Sequence, residues 1–331
     1  MKELSHWSTM RKEVKPLVTV ICTCYNQGDY VAQALDSVMA QTYRPIALFI
    51  IDNGSSDHSG SEINFWLDRN AKKIPVKSIF HEKPINYCKA FNQAFANSNG
   101  DLLVDLAADD FFNARHFEFA VKHLQQSDAK VYFCNALEHL PNGKIQSFYS
   151  TDNSGKSNVP IVEGNVFAEV IKRYVIPSPT LVMDVKAFSE IGCYDEDLSY
   201  EDFDILVRMA AKYRFVYGDY LAVNKRIIKD SLSQQQYKSK KSHLLPSTFI
   251  VCEKIAGMVS TPQEKEALRL RLLHEIKHAT VSANFDIALR MLKLYKKFYS
   301  ANFSFLLFYV WAKMKCDLSP LYEKWRKRSF S

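Results

Sequence analysis

The chain has 331 residues, of which 47% are hydrophobic, and its 43 Lys and Arg against 36 Asp and Glu give a formal net charge of +7. This length and apolar content support one large domain plus a smaller one, and they exclude a wholly disordered chain. The seven cysteines include no C-x-x-C pair, which argues against a zinc site or a disulfide framework and favours a reducing cytoplasm.

The N-terminal part of the chain predicts a β-α-β unit. Its first segment, "MKELSHWSTMRKEVKPL", lacks the apolar core of a signal peptide, so we expect no export. "LVTVIC" at 17–22 is apolar and β-branched, as in a strand buried on both faces of a parallel sheet. Apolar residues then recur at helical spacing from Val31 to Val38, and "IALFII" at 46–51 supplies the second strand.

Two more strands follow a helix predicted around 90–95. They are "LLVDLA" at 102–107, which runs into Asp109-Asp110, and "VYFCNA" at 131–136. The first two strands likewise run into polar clusters, "TCYNQGDY" and "DNGSSD". Because ligands bind outside the carboxyl ends of strands in open α/β sheets, these clusters predict a ligand site at one edge of the sheet.

The absence of two phosphate-binding motifs and the presence of adjacent carboxylates restrict the class of ligand that this edge can bind. There is no G-x-G-x-x-G after the first strand and no G-x-x-x-x-G-K-[ST], which disfavours dinucleotide and P-loop sites. Adjacent carboxylates such as Asp109 and Asp110 can instead hold a hard divalent cation that binds phosphate oxygens and relieves their repulsion. The alternative for this pair is a solvated turn. Asp105, inside the strand, is expected to be a structural carboxylate.

A helix is predicted from Phe203 to Ala210, where apolar residues follow the i, i+3, i+4, i+7 pattern. Glu201 and Asp202 fall in its first turn. Ser199 and Asp202 resemble a capping box, so the local pattern alone favours a structural role for Asp202.

The last third of the chain is rich in helical patterns. Thr261, Pro262 and Glu264 combine a capping residue, a proline at the first helical position and an acidic residue at the third. We predict a small appendage of two to four helices over 239–331.

The C-terminal aromatic segment allows two interpretations. "FSFLLFYVWA" at 303–312 is shorter than the roughly 20 residues that a membrane-spanning helix needs. With the basic residues around Trp325, it suits a helix lying on an anionic membrane surface. A helix packed on the rest of the chain or on a dimer partner, with a solvated basic tail, is the commoner arrangement.

Four segments form a larger pattern across residues 16–235. They are "VTVICTCYNQGDYVAQALDSVMAQTY", "FIIDNGSSD", "NYCKAFNQAFANSNGDLLVDLAADDFF" and "EIGCYDEDLSYEDFDILVRMA". In this order and spacing they resemble the family 2 glycosyltransferases of the GT-A fold. The resemblance implies an N-terminal extension at 1–15, a Rossmann-like, mostly parallel sheet flanked by helices over 16–238, and a small C-terminal helical region at 239–331.

The resemblance implies an enzyme that moves a sugar from a nucleoside diphosphate, expected to be a UDP-sugar, to an acceptor hydroxyl, with inversion and with Mn²⁺ or Mg²⁺. The acceptor would be a glycan, a lipid-linked glycan or a glycoprotein in surface polysaccharide, lipopolysaccharide or glycoprotein assembly, and no nucleic acid would take part. We expect a cytoplasmic protein, with peripheral contact at the inner face of the membrane and a homo-oligomer left open. The alternative is a catalytically idle relative that binds a nucleotide sugar or a partner enzyme.

Six site residues carried over from the resemblance would contact the nucleotide of the donor. They are Thr23, Tyr25, Asn26, Asp52, Asn53 and Lys89. Asp52 and Asn53 would contact the base or the ribose, although they could equally form an Asx-turn with Gly54. Tyr25 and Asn26 could be plain loop residues, and Lys89 a solvated charge.

The carboxylates carry the chemistry that the resemblance implies. Asp109 and Asp110 match the family's D-x-D-D segment and would bind the metal, with Asp109 also near the donor. Asp202 would be the catalytic base, with Glu201 beside it.

Three positions depart from the family's pattern, and the mildest is Asn53, since an Asp pair is common at positions 52 and 53. Ala107 replaces the leading Asp of the D-x-D-D segment, and Ile228 stands where a His is common. Three nearby basic residues could contact diphosphate or form a solvated basic loop; they are Lys225, Arg226 and Lys229.

Overall fold

A computed structural model of the chain describes residues 15–228 and 235–329, with side chains up to residue 324. Within these residues nine strands form one sheet: β1 (Val18–Cys24), β2 (Ile46–Asp52), β3 (Val76–Phe80), β4 (Leu102–Ala107), β5 (Phe111–Phe112), β6 (Val131–His139), β7 (Ile145–Ser147), β8 (Val182–Asp184) and β9 (Phe215–Arg226). Lys229 lies outside the described residues, so its expected role stays a prediction.

The strand order is β3-β2-β1-β4-β8-β6-β9-β5, and β7 pairs with β6. β1 pairs in parallel with β2 and β4, β2 with β3, and β6 with β9. The antiparallel pairings of β5, β7 and β8 are only two or three residues long. The prediction of an α/β fold with a mostly parallel sheet flanked by helices is therefore confirmed.

Twelve helices flank the sheet in the described part of the chain. They are α1 (Gly28–Met39), α2 (Ser59–Asn70), α3 (Tyr87–Ala96), α4 (His116–Gln125), α5 (Phe167–Lys172), α6 (Val185–Glu190), α7 (Asp202–Lys212), α8 (Leu245–Met258), α9 (Pro262–Val281), α10 (Phe285–Phe298), α11 (Phe303–Met314) and α12 (Ser319–Ser329). In this set α9 has the predicted start, because Thr261 and Glu264 form a capping box and Pro262 is its first residue.

Five helices follow residue 238 where we predicted two to four. Ala283 adopts φ +56° after α9, and Lys315 adopts φ +50° after α11. This left-handed conformation ends a helix, and neither residue is one of the usual types found there. The sequence therefore carries no clear stop signal at either break.

The register of the sheet brings the predicted polar clusters to one edge. Cys24 at the end of β1 lies opposite Asp52 at the end of β2. Thr23 lies opposite Ala107, the last residue of β4. The clusters that follow these three strands are therefore neighbours in space, as the parallel arrangement predicts.

The core continues from the sheet into the C-terminal helices. Phe133 and Phe215 of the sheet belong to the same buried cluster as Phe249 of α8, Leu272 of α9 and Tyr295 of α10. A second cluster fills the other face of β1 and β2. The helices after residue 238 are therefore packed into the main core. Among the described residues, none of these helices is both long and apolar enough to cross a membrane.

Candidate active site

The turn after β4 presents Asp109 and Asp110. The N–H of Ala108 donates to the Thr23 carbonyl oxygen at 3.1 Å, and the N–H of Asp110 donates to the Ala107 carbonyl oxygen at 2.9 Å. Asp110 is only 4% exposed, and its Oδ1 accepts a 2.9 Å hydrogen bond from the N–H of Arg226 at the end of β9. Its orientation is therefore fixed from two strands.

Arg226 also fastens this turn with its side chain. The guanidinium lies between the rings of Tyr30 and Phe111, 4.9 Å and 4.7 Å from their centroids. It donates to the Asp109 carbonyl oxygen at 2.5 Å and to Oε1 of Gln33. The interpretation of a solvated basic loop is therefore wrong for Arg226, because its charge is stacked and hydrogen-bonded.

The positive charges of Lys225 and Arg226 only partly offset the burial of the two carboxylates of the turn. Burial and the adjacent Asp109 carboxylate raise the pKa of Asp110 to about 8. Burial likewise raises the pKa of Asp109. A divalent cation would remove both effects by favouring the ionised forms. This pair therefore fits a cation in charge and in ligand type.

The number of available ligands favours a cation shared with a substrate. Among residues 15–228 and 235–329, no three His, Cys, Asp or Glu side chains converge as a metal site. Mg²⁺ in phosphate-binding proteins is commonly held by one or two carboxylates plus substrate phosphates rather than by an all-protein cage. Asp109 and Asp110 fit that arrangement.

A second pair of carboxylates stands at the start of α7. Glu201 occupies the N-cap position but makes no side-chain cap, and Oδ1 of Asp202 accepts from the N–H of Phe203 at 2.6 Å. The N–H of Ser199 donates instead to Oγ of Ser247 in α8 at 2.8 Å. The capping box suggested by the local pattern is therefore not formed.

Asp204, two residues further on, is the structural carboxylate of this helix. It is 1% exposed and accepts from Nε of Arg208 at 2.7 Å and from Nζ of Lys254 at 2.6 Å. Lys254 lies in α8 and also binds Asp195 at 2.5 Å. These ion pairs hold the start of α7 in place. They are made by Asp204 and Asp195, so the structural role belongs to these residues and not to Asp202.

The C-terminal helix α9 also contacts the first turn of α7. The guanidinium of Arg271 lies 4.4 Å from the centroid of the Phe203 ring. Arg271 pairs with the buried Glu275 at 3.1 Å and donates to the Ile171 carbonyl oxygen at 2.7 Å. A residue beyond position 238 therefore packs directly beside the candidate base.

One small cavity of about 60 Å³ is lined by Asp110 of the turn after β4 and by both carboxylates at the start of α7. Its lining consists of Tyr87, Asp105, Ala107, Asp110, Ser178, Pro179, Leu181, Met183, Tyr194, Glu201, Asp202 and Ile205. Asp110 of the predicted metal pair and Asp202 of the predicted base therefore face the same space, although 92 residues separate them in the sequence. Asp109 lies beside this lining as the neighbour of Asp110.

The surroundings of Glu201 and Asp202 raise the pKa of both carboxyl groups. Burial raises the pKa of Glu201 well above its usual value, and the charge of Asp202 raises it further. Burial also raises the pKa of Asp202, while the positive charges of Lys225 and Arg271 oppose this rise. A carboxylate with a raised pKa is a stronger base, which suits the abstraction of a hydroxyl proton.

Asp105 is held by two tyrosines at the back of the cavity. The hydroxyl of Tyr87 donates to it at 2.6 Å, and the hydroxyl of Tyr194 donates at 2.8 Å. Burial raises the pKa of Asp105 to about 6. This agrees with the structural role expected for Asp105. Tyr194 and Ser178 line the same cavity and were not among the predicted site residues; Tyr194 lies in the last of the four segments that resemble the family, and Ser178 lies outside them.

The residues predicted to border the nucleotide lie along the edge formed by β1 and β2. Thr23 is buried, and its Oγ1 has no hydrogen-bond partner among the described residues. Tyr25 is 49% exposed. Asn26 has φ +52°, and its Oδ1 accepts from the N–H of Ser56 at 2.8 Å, so it fastens the loop after β1 to the loop after β2.

Asp52 and Asn53 already have local hydrogen-bond partners. Oδ1 of Asp52 accepts from the N–H of Ser55 at 3.0 Å. The side-chain amide of Asn53 donates to the Ile85 carbonyl oxygen at 2.9 Å and accepts from the Ile85 N–H at 3.1 Å. Lys89 is exposed on the first turn of α3. The structure therefore brings Thr23, Asp52 and Asn53 together at the strand ends and leaves Lys89 on the surface.

The sequence matches the model of a known protein family. The profile described as "Glycosyl transferase family 2" matches residues 19–181. An uncharacterised glycosyltransferase of Rickettsia felis is 25% identical over 237 residues, which cover 71% of this chain and 38% of that protein. One of Rickettsia typhi is 25% identical over 218 residues, 65% of each chain. The chain thus spans less than two thirds of the length of these relatives.

Solved structures share the fold at low sequence identity. The structure of S. aureus TarS 1–349 in complex with UDP-GlcNAc has a TM-score of 0.64 and 16% identity, covering 94% of this chain and 91% of that one. A mannosyltransferase from Pyrobaculum calidifontis, in complex with GDP-Man and Mn²⁺, has a TM-score of 0.57 and 15% identity, covering 95% and 89%. At these identities the likeness establishes the fold.

Proposed function

We infer that the chain is a member of glycosyltransferase family 2 with the GT-A fold, and we propose that it transfers a sugar from a UDP-sugar to an acceptor hydroxyl with inversion. The observation that carries the proposal is the shared cavity of Asp110 and Asp202. Transfer of a glycosyl group needs a site for the departing diphosphate and a base for the incoming hydroxyl. Asp110 lines the cavity on the side of the proposed diphosphate site, and Asp202 lines it as the proposed base.

In this proposal Asp109 and Asp110 hold a Mn²⁺ or Mg²⁺ ion. When bound, the ion neutralises the charge that develops on the departing diphosphate. The protein's own part is to fix the turn, through the N–H and the guanidinium of Arg226. The manganese in the Pyrobaculum mannosyltransferase supports a divalent ion in this fold.

Asp202 acts as the general base in this proposal. It takes the proton of the acceptor hydroxyl while that oxygen attacks the sugar carbon from the face opposite the diphosphate. Burial makes Asp202 more basic, and the positive charges of Lys225 and Arg271 favour its ionised form. Glu201 beside it retains its own proton more readily, because its pKa is raised well above the usual value. Asp202 is therefore the better base of the two.

The nucleotide would lie along the ends of β1 and β2. Thr23 offers a buried hydroxyl whose hydrogen-bonding capacity is unused among the described residues. Tyr25 exposes an aromatic ring, and Asp52 lies opposite Cys24 at the neighbouring strand end. We propose a UDP-sugar donor because the TarS complexes contain UDP-GlcNAc or UDP.

We also propose that the C-terminal helices contact an anionic membrane surface, where a lipid-linked glycan acceptor would be found. The apolar residues exposed on and around α11 are Phe298, Phe303, Leu306, Leu307, Tyr309, Val310, Met314, Leu318 and Leu321. Residues 287–331 contain ten Lys or Arg and only two Asp or Glu. An apolar face flanked by positive charge suits the headgroup region of an anionic bilayer.

A catalytically idle relative is the second candidate, and Ala107 favours it. Ala107 lines the cavity with a methyl group at the position where the family's segment begins with a carboxylate. The test is a panel of UDP- and GDP-sugars, measured for thermal stabilisation and for hydrolysis with Mn²⁺, with Mg²⁺ and with EDTA. Metal-dependent hydrolysis of one donor supports the enzyme. Stabilisation without hydrolysis or transfer supports the idle relative, and no response to any nucleotide sugar rejects both.

A further inference from the structure

A second, larger cavity lies beside the candidate active site. Its volume is about 490 Å³, within the range of about 300–1,000 Å³ of typical small-molecule sites. Its lining is Phe148, Tyr149, Val159, Pro160, Ile161, Val162, Val166, Glu169, Arg173, Tyr174, Val175 and Ile176. The residues proposed to bind the donor and the metal are all absent from this lining, so the cavity is distinct from the donor site.

Tyr174 separates the two cavities. Its hydroxyl accepts a 3.0 Å hydrogen bond from the N–H of Ser178, and Ser178 lines the small cavity with Asp110 and Asp202. On its other side the Tyr174 ring packs edge-on against Phe148, 5.5 Å between centroids. Tyr174 thus lines the large cavity and is hydrogen-bonded to Ser178, which lines the small cavity.

Lys225 links the same wall to the reacting groups. Its Nζ lies 5.7 Å from the centroid of the Tyr174 ring. Its positive charge acts on the carboxylates of both Asp110 and Asp202. Tyr174, which lines the large cavity, is therefore linked through Lys225 to the carboxylates of the small one.

We propose that this cavity binds the acceptor, and that the acceptor carries an uncharged apolar group next to the sugar unit that receives the transfer. The inference rests on the proposed function, since it takes Asp202 as the base. The hydroxyl that Asp202 deprotonates must approach from a side other than the diphosphate. A ligand bound in the large cavity would extend past Tyr174 and bring this hydroxyl to Asp202.

The chemistry of the lining defines the class of acceptor. Ten of its twelve residues are apolar or aromatic, and only Glu169 and Arg173 carry charge. Val159, Val162 and Tyr174 are 41%, 51% and 44% exposed, so their apolar surface is available to a ligand. Burying about 60–100 Å² of apolar ligand surface here contributes about 1.5–2.5 kcal/mol, or at least about tenfold in affinity. A charged polymer would gain little from such a surface.

The test compares glycosides that differ only in their apolar group. Methyl, octyl and p-nitrophenyl glycosides of the same sugars are titrated by ligand-observed NMR against the full chain with UDP and Mn²⁺, below micellar concentrations. We expect the octyl or p-nitrophenyl compounds to bind at least about tenfold more tightly than the methyl compounds. The octyl arm reports an alkyl-type group and the p-nitrophenyl arm an aryl-type group. Equal affinity for all three overturns the proposal.

Val162→Arg places a long charged side chain at the mouth of the cavity, on a residue exposed enough to tolerate it. Ile145→Arg is the matched control, because Ile145 is 54% exposed but lines a different depression. We expect Val162→Arg to weaken octyl or p-nitrophenyl binding about tenfold and Ile145→Arg to leave it unchanged. Unchanged binding to Val162→Arg places the glycoside elsewhere and overturns the proposal. Hydrolysis of the donor, measured without acceptor, reports on the proposed function separately.

Discussion

The N–H of Arg226 donates a 2.9 Å hydrogen bond to Oδ1 of Asp110, and the two residues are 116 positions apart in the chain. The backbone and the side chain of Arg226, at the end of β9, therefore both hold the turn after β4 in place. One carboxylate oxygen of Asp110 is committed to this bond. The other remains the natural candidate to bind a cation.

Arg226→Lys should weaken metal-dependent nucleotide binding. The backbone bond to Asp110 persists in the variant, but an ammonium cannot bind Asp109 and Gln33 as the planar guanidinium does. We expect affinity for UDP with Mn²⁺ to fall about tenfold, measured by calorimetry. Arg69→Lys is the control, since Arg69 also lies over an aromatic ring, that of Phe65, on α2. Equal losses in both variants would contradict the role of Arg226.

Asp202→Asn should abolish transfer while leaving the donor bound. The amide cannot accept the proton of the acceptor hydroxyl, and removal of a general base costs about 10²–10⁴ in rate. The measurement is the rate of sugar transfer beside the affinity for UDP. Asp197→Asn is the matched control, because Asp197 is an exposed carboxylate in the loop before α7. Unchanged turnover of Asp202→Asn would remove this residue from the mechanism.

Lys254→Met should destabilise the fold. Lys254 binds Asp204, which is 1% exposed, and Asp195 at distances of 2.6 Å and 2.5 Å. Without Lys254 the buried Asp204 has lost one of its two cationic partners and keeps Arg208, and we expect a loss of about 2–4 kcal/mol in urea unfolding. Lys212→Met breaks the exposed pair with Glu190 and should cost less than about 1 kcal/mol. Similar losses in both variants would show that Asp204 does not depend on Lys254.

Asp105 should make stability depend on pH between about pH 4 and 6. Its pKa is raised by burial to about 6, above the value of about 3.9 in an unfolded chain. The folded state then binds the proton more tightly, so this contribution to stability is complete below about pH 4 and is lost as the pH rises through about 6. A shift of about two units corresponds to at most about 2–3 kcal/mol.

Asp105→Asn removes this ionisation while an amide can still pair with Tyr87 and Tyr194. Urea unfolding at pH 5, 6, 7 and 8 should show the variant gaining stability relative to the unmodified chain up to about pH 7, with no further gain above it. A difference that does not change with pH would mean that Asp105 ionises normally in the folded chain.

Changes on α11 should remove binding to anionic lipid. The double variant Phe303→Ser with Leu307→Ser replaces side chains that are 82% and 50% exposed, so the fold should tolerate it. In flotation assays the unmodified chain should bind vesicles containing anionic lipid more than purely zwitterionic ones, and the double variant should bind neither. Phe65→Ser, on a 58% exposed residue of α2, serves as the control. A concentration-dependent dimer that the double variant abolishes, without vesicle binding, would instead assign this face to a second copy.

The sheet and half of the site could be predicted because the signals are local. The strands containing Val18–Cys24 and Ile46–Asp52 are continuous apolar runs that end in polar clusters, as expected of buried parallel strands. The parallel pairing then brings the ends of these strands together. The start of α7 was predicted from the spacing of its apolar face.

The contacts between distant segments could not be predicted. Ser178 reaches the cavity from a short 3-10 turn, and Arg226 reaches Asp110 from the end of a long strand. No sequence motif predicts either contact, because each depends on how β8 and β9 are placed beside β4 and β6. The number of C-terminal helices was wrong for a similar reason, since Ala283 and Lys315 end helices without the residue types that usually do so.

Arg271 of α9 and Lys254 of α8 both contact the first turn of α7, which carries Asp202. The C-terminal helices are thus not an exchangeable module in the engineering sense. Trimming the protein near residue 238 would remove Arg271 and Lys254, which contact the two residues that follow the proposed base, and would expose a core cluster shared with the sheet. Exchanging these helices between relatives would therefore also change the surroundings of Asp202, the proposed base.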